Sequence, residues 1–137
     1  MNKEEIKKIL PHREPMLLID QANLINENTA EGLYTVRGDE YFLQGHFPGN
    51  PVVPGVILCE IMAQTCCVLF ADKVKGSTPL FAGINKVRFR RQVKPGERID
   101  FECTPVREVG PFCFAKVRGR VNGSVCVEGE FSFALMQ

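Results

Sequence analysis

Two side chains in this sequence are placed as a proton-transfer pair would be. His46 lies in Gly45-His46-Phe47-Pro48-Gly49-Asn50-Pro51, and Glu60 is the lone carboxylate in the apolar run from Val56 to Ala71. The Gly and Pro residues around His46 limit backbone freedom and fix where the imidazole points, as a positioned general base requires. Imidazole also titrates in the neutral range that such a base needs. A glutamate inside an apolar helix is expensive to bury ionised, so it is paired, neutral or functional. Burial favours its protonated form, which lets it hold a proton for donation near neutral pH. Gln64 follows one helical turn later on the same face, where it can donate a hydrogen bond to Glu60 and orient it. Each residue has a plainer alternative: a structural histidine in a loop, a Glu on an exposed helix edge, a Gln facing water.

Gly55 completes the set. Pro54 is suited to the first helical position, and backbone N–H groups at a helix start are unpaired and point outward with the positive end of the dipole. Such groups can stabilise negative charge developing on a carbonyl oxygen, and a glycine lets a substrate approach the backbone closely. A base, an acid and an oxyanion contact fit one reaction class: proton abstraction beside a carbonyl with protonation of a leaving hydroxyl. That is elimination of water from a β-hydroxy carbonyl compound, or its reversal. The sequence contains no nucleophile elbow, phosphate loop or dinucleotide fingerprint. Its 2 histidines, His12 and His46, lack clustered ligands, so neither a metal nor another cofactor is expected.

A basic segment, Lys86-Val87-Arg88-Phe89-Arg90-Arg91-Gln92-Val93-Lys94, stands apart from these residues. Lys86, Arg88 and Arg90 alternate, which places them on one strand face, and Arg91 and Lys94 extend the charge into a turn. This is either a solvated strand face or a docking patch for an acidic partner. Aromatic residues are too sparse there for a nucleic-acid platform.

The elements that must position these groups follow from the chain in order. Asn2 and Glu5 form a variant capping box for a short helix with Ile6, Ile9 and Leu10 on its apolar stripe, stopped by Pro11. Residues 16–25 and 29–38 read as a hairpin across Asn26-Glu27-Asn28. The long helix starts at Pro54 and should run to Asp72 or Lys75, with Gly76 and Pro79 closing it off. Strands are expected over 80–90, 98–104, 112–121 and 125–135, with Asn122-Gly123 as a two-residue hairpin turn. Connections this short imply antiparallel pairing. The fold class is therefore α+β: a curved antiparallel sheet of about six strands wrapped round one long central helix, the hotdog arrangement. A helix apolar nearly all round must be surrounded, and a single sheet covers only part of it, so a second subunit is expected to cover the rest.

Composition bounds the function. The 137 residues, 45% hydrophobic and 24% charged, suit one globular domain over 1–137. A formal net charge of +1 predicts neither nucleic-acid nor membrane binding in bulk. Glu60 near the middle of residues 52–71 argues against a membrane span. The 6 cysteines (Cys59, Cys66, Cys67, Cys103, Cys113 and Cys126) form no Cys-x-x-Cys pair and read as small buried hydrophobes in a reducing cytoplasm.

The sequence resembles the FabZ-type (3R)-hydroxyacyl-(acyl-carrier-protein) dehydratases of type II fatty acid synthesis. The matching segments are Leu10-Pro11-His12-Arg13, Leu17-Leu18-Ile19-Asp20, residues 45–51, Pro54-Gly55-Val56, Glu60-Ile61-Met62-Ala63-Gln64, Phe81-Ala82-Gly83-Ile84, Arg88-Phe89 and Val93-Lys94-Pro95-Gly96-Glu97. The resemblance implies a hotdog fold, a homodimer assembled further into a hexamer as a trimer of dimers, and active sites at the dimer interface. It implies that His46 of one subunit faces Glu60 of the other across a narrow apolar tunnel. His46 would take the α-proton of a 3-hydroxyacyl thioester and Glu60 would assist departure of the β-hydroxyl. The Gly55 N–H would bind the thioester oxygen, and Gln64 would steady Glu60. Glu at position 60 is similar to this branch, whereas the related dehydratase-isomerases that convert trans-2 to cis-3 enoyl chains carry Asp. The acidic acyl carrier protein would dock on the basic segment, at the tunnel entrance, and Phe101 aligns loosely with a tunnel wall or gate. Asn85, where the family commonly has Asp, Met16, where it often has Phe, and the helix cysteines depart from the pattern and bear on tunnel shape. A hotdog thioesterase, with the carboxylate activating water, and a non-catalytic carrier-binding module are the remaining readings.

Overall fold

A computed structural model describes residues 1–136. The chain forms helix α1 (Lys3–Ile6), strands β1 (Gln21–Asn26) and β2 (Thr29–Thr35), a 3-10 turn at Tyr41–Leu43, and helices α2 (Gly55–Leu69) and α3 (Ala71–Val74). Strands β3 (Thr78–Phe89), β4 (Arg98–Val109), β5 (Phe112–Val121) and β6 (Ser124–Met136) follow. The six strands make one sheet in the order β1-β2-β4-β5-β6-β3, antiparallel at every pairing. Helix α2 packs against five of its strands, β1, β2, β4, β5 and β6. This is the hotdog arrangement.

Helix α1 is held by the expected capping box, with Glu5 N donating to Asn2 Oδ1 at 3.0 Å and Asn2 N to Glu5 Oε1 at 3.1 Å. It ends at Ile6, sooner than its apolar stripe implied. The following turn is closed instead by Arg13, whose guanidinium donates to Leu10 O at 3.0 Å and Lys7 O at 3.2 Å. The first hairpin also differs from expectation. Residues 16–20 precede the ladder, which starts at Gln21↔Leu33, and Leu17, Leu18 and Ile19 are buried in succession without alternating. β2 ends at Thr35, because residues beyond it turn around the Glu40 carboxylate, which accepts from Arg37 N at 3.0 Å and Gly38 N at 2.7 Å.

Every residue of α2 from Leu58 to its end except Glu60 is buried. Pro54 is its N-cap and Gly55 its first residue, and α3 is a separate turn beyond it. No helix among the described residues is long and apolar enough to cross a membrane. The expectation that α2 itself leaves apolar surface for a second subunit is corrected by this burial: the helix is covered within its own chain. Open apolar side chains lie on β3 and at the helix start. Leu80, Phe81, Ile84 and Phe89 are each about half exposed on the edge strand β3, and Val56 is 76% exposed at the start of α2.

One turn and one bulge follow their local chemistry. Asn122 and Gly123, at φ 51° and 82°, make the β5–β6 turn that Asn-Gly favours. β4 runs on past Thr104 because Pro105, which cannot donate to a ladder, sits at a bulge between Pro105 and Arg107.

Candidate active site

Glu60 sits at the one partly open position of α2 from Leu58 onward, its side chain 18% exposed. Gln64, one turn later and fully buried, donates Nε2–H to Glu60 Oε2 at 2.9 Å. Its second amide hydrogen goes to Met16 O at 2.7 Å, and its Oε1 accepts from Leu18 N at 2.9 Å. The amide is thereby saturated. The alternative of a glutamine facing water is excluded, and so is the exposed-edge reading of Glu60.

The imidazole beside Glu60 is that of His12. His12 Nε2 lies 3.6 Å from Glu60 Oε2, and no hydrogen bond or ion pair joins Glu60 to His46 among the described residues. His12, Glu60, Ala63, Cys67, Pro79, Phe81 and Phe133 line a small pocket of about 30 Å³, room for about two waters. An acyl chain does not fit there within one subunit. His12 had been weighed in the sequence only as a metal ligand. The signal that would have found its place is its position two residues after buried Leu10, in a segment that returns across α2 through Met16 and Leu18.

His46 stands in a loop fixed by its own backbone. Its N–H donates to Leu43 O at 3.1 Å, its carbonyl accepts from Val52 N at 2.8 Å, and Phe47 and Asn50 exchange two bonds of 2.9 Å. Gly45 and Gly49 turn the chain at φ 82° and 71°, the left-handed region that favours glycine. The ring is oriented by Nδ1, 2.9 Å from Val52 O. A carbonyl oxygen can only accept, so Nδ1 carries the hydrogen and Nε2 is left with its lone pair. A neutral imidazole in that tautomer is a base at Nε2.

At the start of α2, Ile57 N and Leu58 N both donate to Pro54 O, at 3.0 and 3.2 Å. The N–H groups of Gly55 and Val56 have no acceptor among the described residues and are the free donors of this helix end. A Cβ on Gly55 would lie 2.9 Å from Phe89 Cζ and 3.0 Å from Cε1, so glycine is required for the Phe89 ring to lie against the helix start.

The basic segment is less uniform than its spacing implied. Opposite β6, Asn85 pairs with Glu130 and Arg88 with Glu128, so an extra residue is inserted at a bulge where Lys86 has φ 54°. The alternation of Lys86, Arg88 and Arg90 on one face is therefore interrupted. Arg90 pairs with Glu128 at 2.9 Å, and Arg91 with Glu97. Lys86, Arg88 and Lys94 have no carboxylate within ion-pair distance among the described residues. Phe101, loosely aligned with a gate, is 1% exposed in the core.

All six cysteines are free and buried, as expected. Burial pushes the Cys67 thiol well up, and the charge of Glu60 beside it acts in the same direction.

Comparison with known proteins places the chain. The model of the FabA-like domain matches residues 10–130. The 3-hydroxyacyl-(acyl-carrier-protein) dehydratase FabZ of Clostridium beijerinckii is 44% identical over 140 residues, covering 98% of this chain and 99% of that protein. Its namesake from Caldicellulosiruptor saccharolyticus is 46% identical over 133 residues, 95% of each chain. Among solved structures, the dehydratase heterocomplex ApeI:P from Xenorhabdus doucetiae superposes with a TM-score of 0.84 at 23% identity, covering 96% of this chain and 91% of that one, a likeness of fold.

Proposed function

The chain belongs to the FabA-like family, and from that premise we propose that it removes water from a (3R)-3-hydroxyacyl chain carried on acyl carrier protein, leaving the trans-2-enoyl thioester. It is a hydro-lyase of fatty acid biosynthesis. The observation that carries the reading is the complementary preparation of two groups. His46 is held by Val52 O with Nε2 free as a base, and Glu60 is held at Oε2 by Gln64 with Oε1 uncommitted.

His46 Nε2 takes the α-proton, and the charge that develops on the thioester oxygen is met by the Gly55 N–H at the start of α2. The electrons of the C–H bond become the new double bond. The β-carbon–oxygen bond breaks as Glu60 gives its proton to the hydroxyl, which leaves as water. A subunit alone brings His12 rather than His46 to Glu60, so the reading requires His46 of one subunit to meet Glu60 of the partner subunit. The half-exposed apolar residues of β3 and Val56 support a homodimer whose second copy covers them; a trimer of such dimers is the proposed hexamer. Lys86, Arg88 and Lys94 are the cations free to receive the acidic carrier protein, with Arg90 and Arg91 beside them already paired. Six free thiols accord with a reducing cytoplasm.

The test is turnover of 3-hydroxyacyl carrier protein by the purified protein, with products resolved by gas chromatography. A trans-2-enoyl product supports the reading. Release of the free carrier thiol, or no conversion, overturns it, and a cis-3 product adds an isomerase step.

A further inference from the structure

On the reading that Glu60 gives its proton to the departing hydroxyl, we infer that His12 is a positioning residue for that carboxyl group: a neutral imidazole that presents Nε2–H to Glu60 Oε2, leaving Oε1 as the oxygen that carries the proton. The geometry rests on three atoms. His12 Nε2 is 3.6 Å from Glu60 Oε2, with the two side chains 20% and 18% exposed. Gln64 donates to that same oxygen at 2.9 Å. His12 Nδ1 is buried and has no hydrogen-bond partner among the described residues.

The orphan nitrogen decides the tautomer. With the hydrogen on Nδ1, a buried donor would lack an acceptor while the Nε2 lone pair faced the lone pairs of a carboxylate. Both carry a desolvation or repulsion penalty. With the hydrogen on Nε2, only an acceptor goes unmet and the N–H points at Glu60. Protonation of both nitrogens is opposed by burial, which pulls His12 below the usual imidazole range. Glu60 works against that shift and Arg13 with it. Arg13 is itself tied to the carbonyls of Leu10, His12 and Lys7. The other residues of the small pocket are apolar except Cys67, a thiol that burial and Glu60 keep protonated. Glu60 and Arg13 are thus the charged groups that His12 meets.

Two donors on one oxygen assign the chemistry of the other. In a protonated carboxyl group the oxygen that accepts N–H donors is the carbonyl oxygen, so the acidic hydrogen resides on Oε1. After proton transfer the charge on Oε2 is already met by Gln64 and His12. At 3.6 Å the His12 contact is longer than a hydrogen bond. It therefore acts through the dipole of its N–H and through orientation, and the space of about 30 Å³ beside it gives the ring room to close.

The contact is tested first without turnover. Nitrogen-15 labelling gives spectra of only 2 histidines. His12 is expected as the neutral Nε2–H tautomer at neutral pH, with a midpoint below that of free imidazole and an Nε2–H resonance that moves when Glu60→Ala removes the facing oxygen. An Nδ1–H or doubly protonated His12, or an Nε2–H resonance indifferent to Glu60→Ala, overturns the inference. In turnover, His12→Phe is expected to lower kcat about tenfold with KM changed less than about twofold. It should also move the alkaline limb of the kcat profile to higher pH, because ionised Glu60 has lost a donor. His12→Gln, whose amide N–H reaches the same place, restores most of kcat. An unchanged kcat and limb in a folded His12→Phe, or no recovery with Gln, likewise overturns it. If the phenylalanine variant fails to fold, His12→Gln and the spectra decide. A wild-type protein with the expected spectra but no turnover would sink the dehydratase reading and leave the His12–Glu60 contact standing.

Discussion

Gln64 and Glu60 are joined through a single oxygen: the amide donates to Oε2 at 2.9 Å while its remaining hydrogen-bonding groups are consumed by the backbone of Met16 and Leu18. One buried side chain therefore stitches α2 to the segment 16–18 and orients the acid. Gln64→Leu keeps the size but leaves the buried Leu18 N without a partner, a cost of about 1–3 kcal/mol, and removes the bond to the part-buried Met16 O. The expected outcome is a lower denaturant midpoint together with a drop in kcat. A variant that melts as wild type would show that the amide is dispensable to the fold.

The division of the catalytic pair between subunits is tested by mixing two inactive variants. His46→Ala is expected to lose at least ~10²-fold in kcat, the low end for removal of a general base, and Glu60→Ala to lose a comparable amount. A mixed dimer would contain one intact site, built from His46 of one subunit and Glu60 of the other. Random re-assortment would then restore roughly a quarter of wild-type activity. Mixing that restores nothing, in samples shown to exchange subunits, would place both residues of the pair in one chain.

Glu40 makes a prediction about acid stability. It is 6% exposed and accepts hydrogen bonds from the Tyr34 hydroxyl, Arg37 N and Gly38 N. Burial, the largest influence, pushes its carboxyl up, but the hydrogen bonds together outweigh it and hold the group below the usual carboxylate range. Tyr34 is pushed far up, by burial first and Glu40 second, and remains a donor. A carboxyl depressed on folding contributes stability that is present above its unfolded value, about 4.3. That stability is lost as pH falls through the lower folded value. Glu40→Gln should therefore lower stability at neutral pH and flatten the acid limb of Tm against pH. An acid limb as steep as wild type would show that other carboxylates set it.

Much of this was legible in the sequence, and the failures have specific causes. The capping box at Asn2, the Asn122-Gly123 turn and the span of α2 depend on neighbours in the chain, and all three stand near where local chemistry puts them. Residues 16–20 read as strand because they are apolar. Met16 O and Leu18 N among them are bonded to a side chain 46 to 48 positions away, which no local pattern records. The bulge at Lys86 shifts which residues face outward, and spacing alone cannot register an inserted residue. His12 was legible as a residue type but not as a neighbour of Glu60, since the contact exists only once the N-terminal segment lies on α2. Open apolar surface was expected along α2, and it stands instead on β3 and at Val56 of the helix start. The cause is that the chain's own N-terminal segment and sheet already bury the helix.

The docking patch yields a prediction that separates recognition from chemistry. Arg90 is bound to Glu128 and Arg91 to Glu97, whereas Lys86, Arg88 and Lys94 are exposed without such partners. Reversing a free charge removes an attraction for an acidic partner and adds a repulsion, and it breaks no bond within the fold. Lys86→Glu and Lys94→Glu, and Arg88→Gln in place of a reversal that would face Glu128 across the ladder, are each expected to lower kcat/KM for carrier-bound substrate and to weaken its dependence on salt. Turnover of the same acyl chain on a small thiol should be unchanged, because that substrate has no acidic surface to recruit. Arg90→Glu would instead place a like charge beside Glu128 and is expected to lower the denaturant midpoint. Equal losses on both substrates would mean that these cations serve the chemistry and not the docking of a carrier protein.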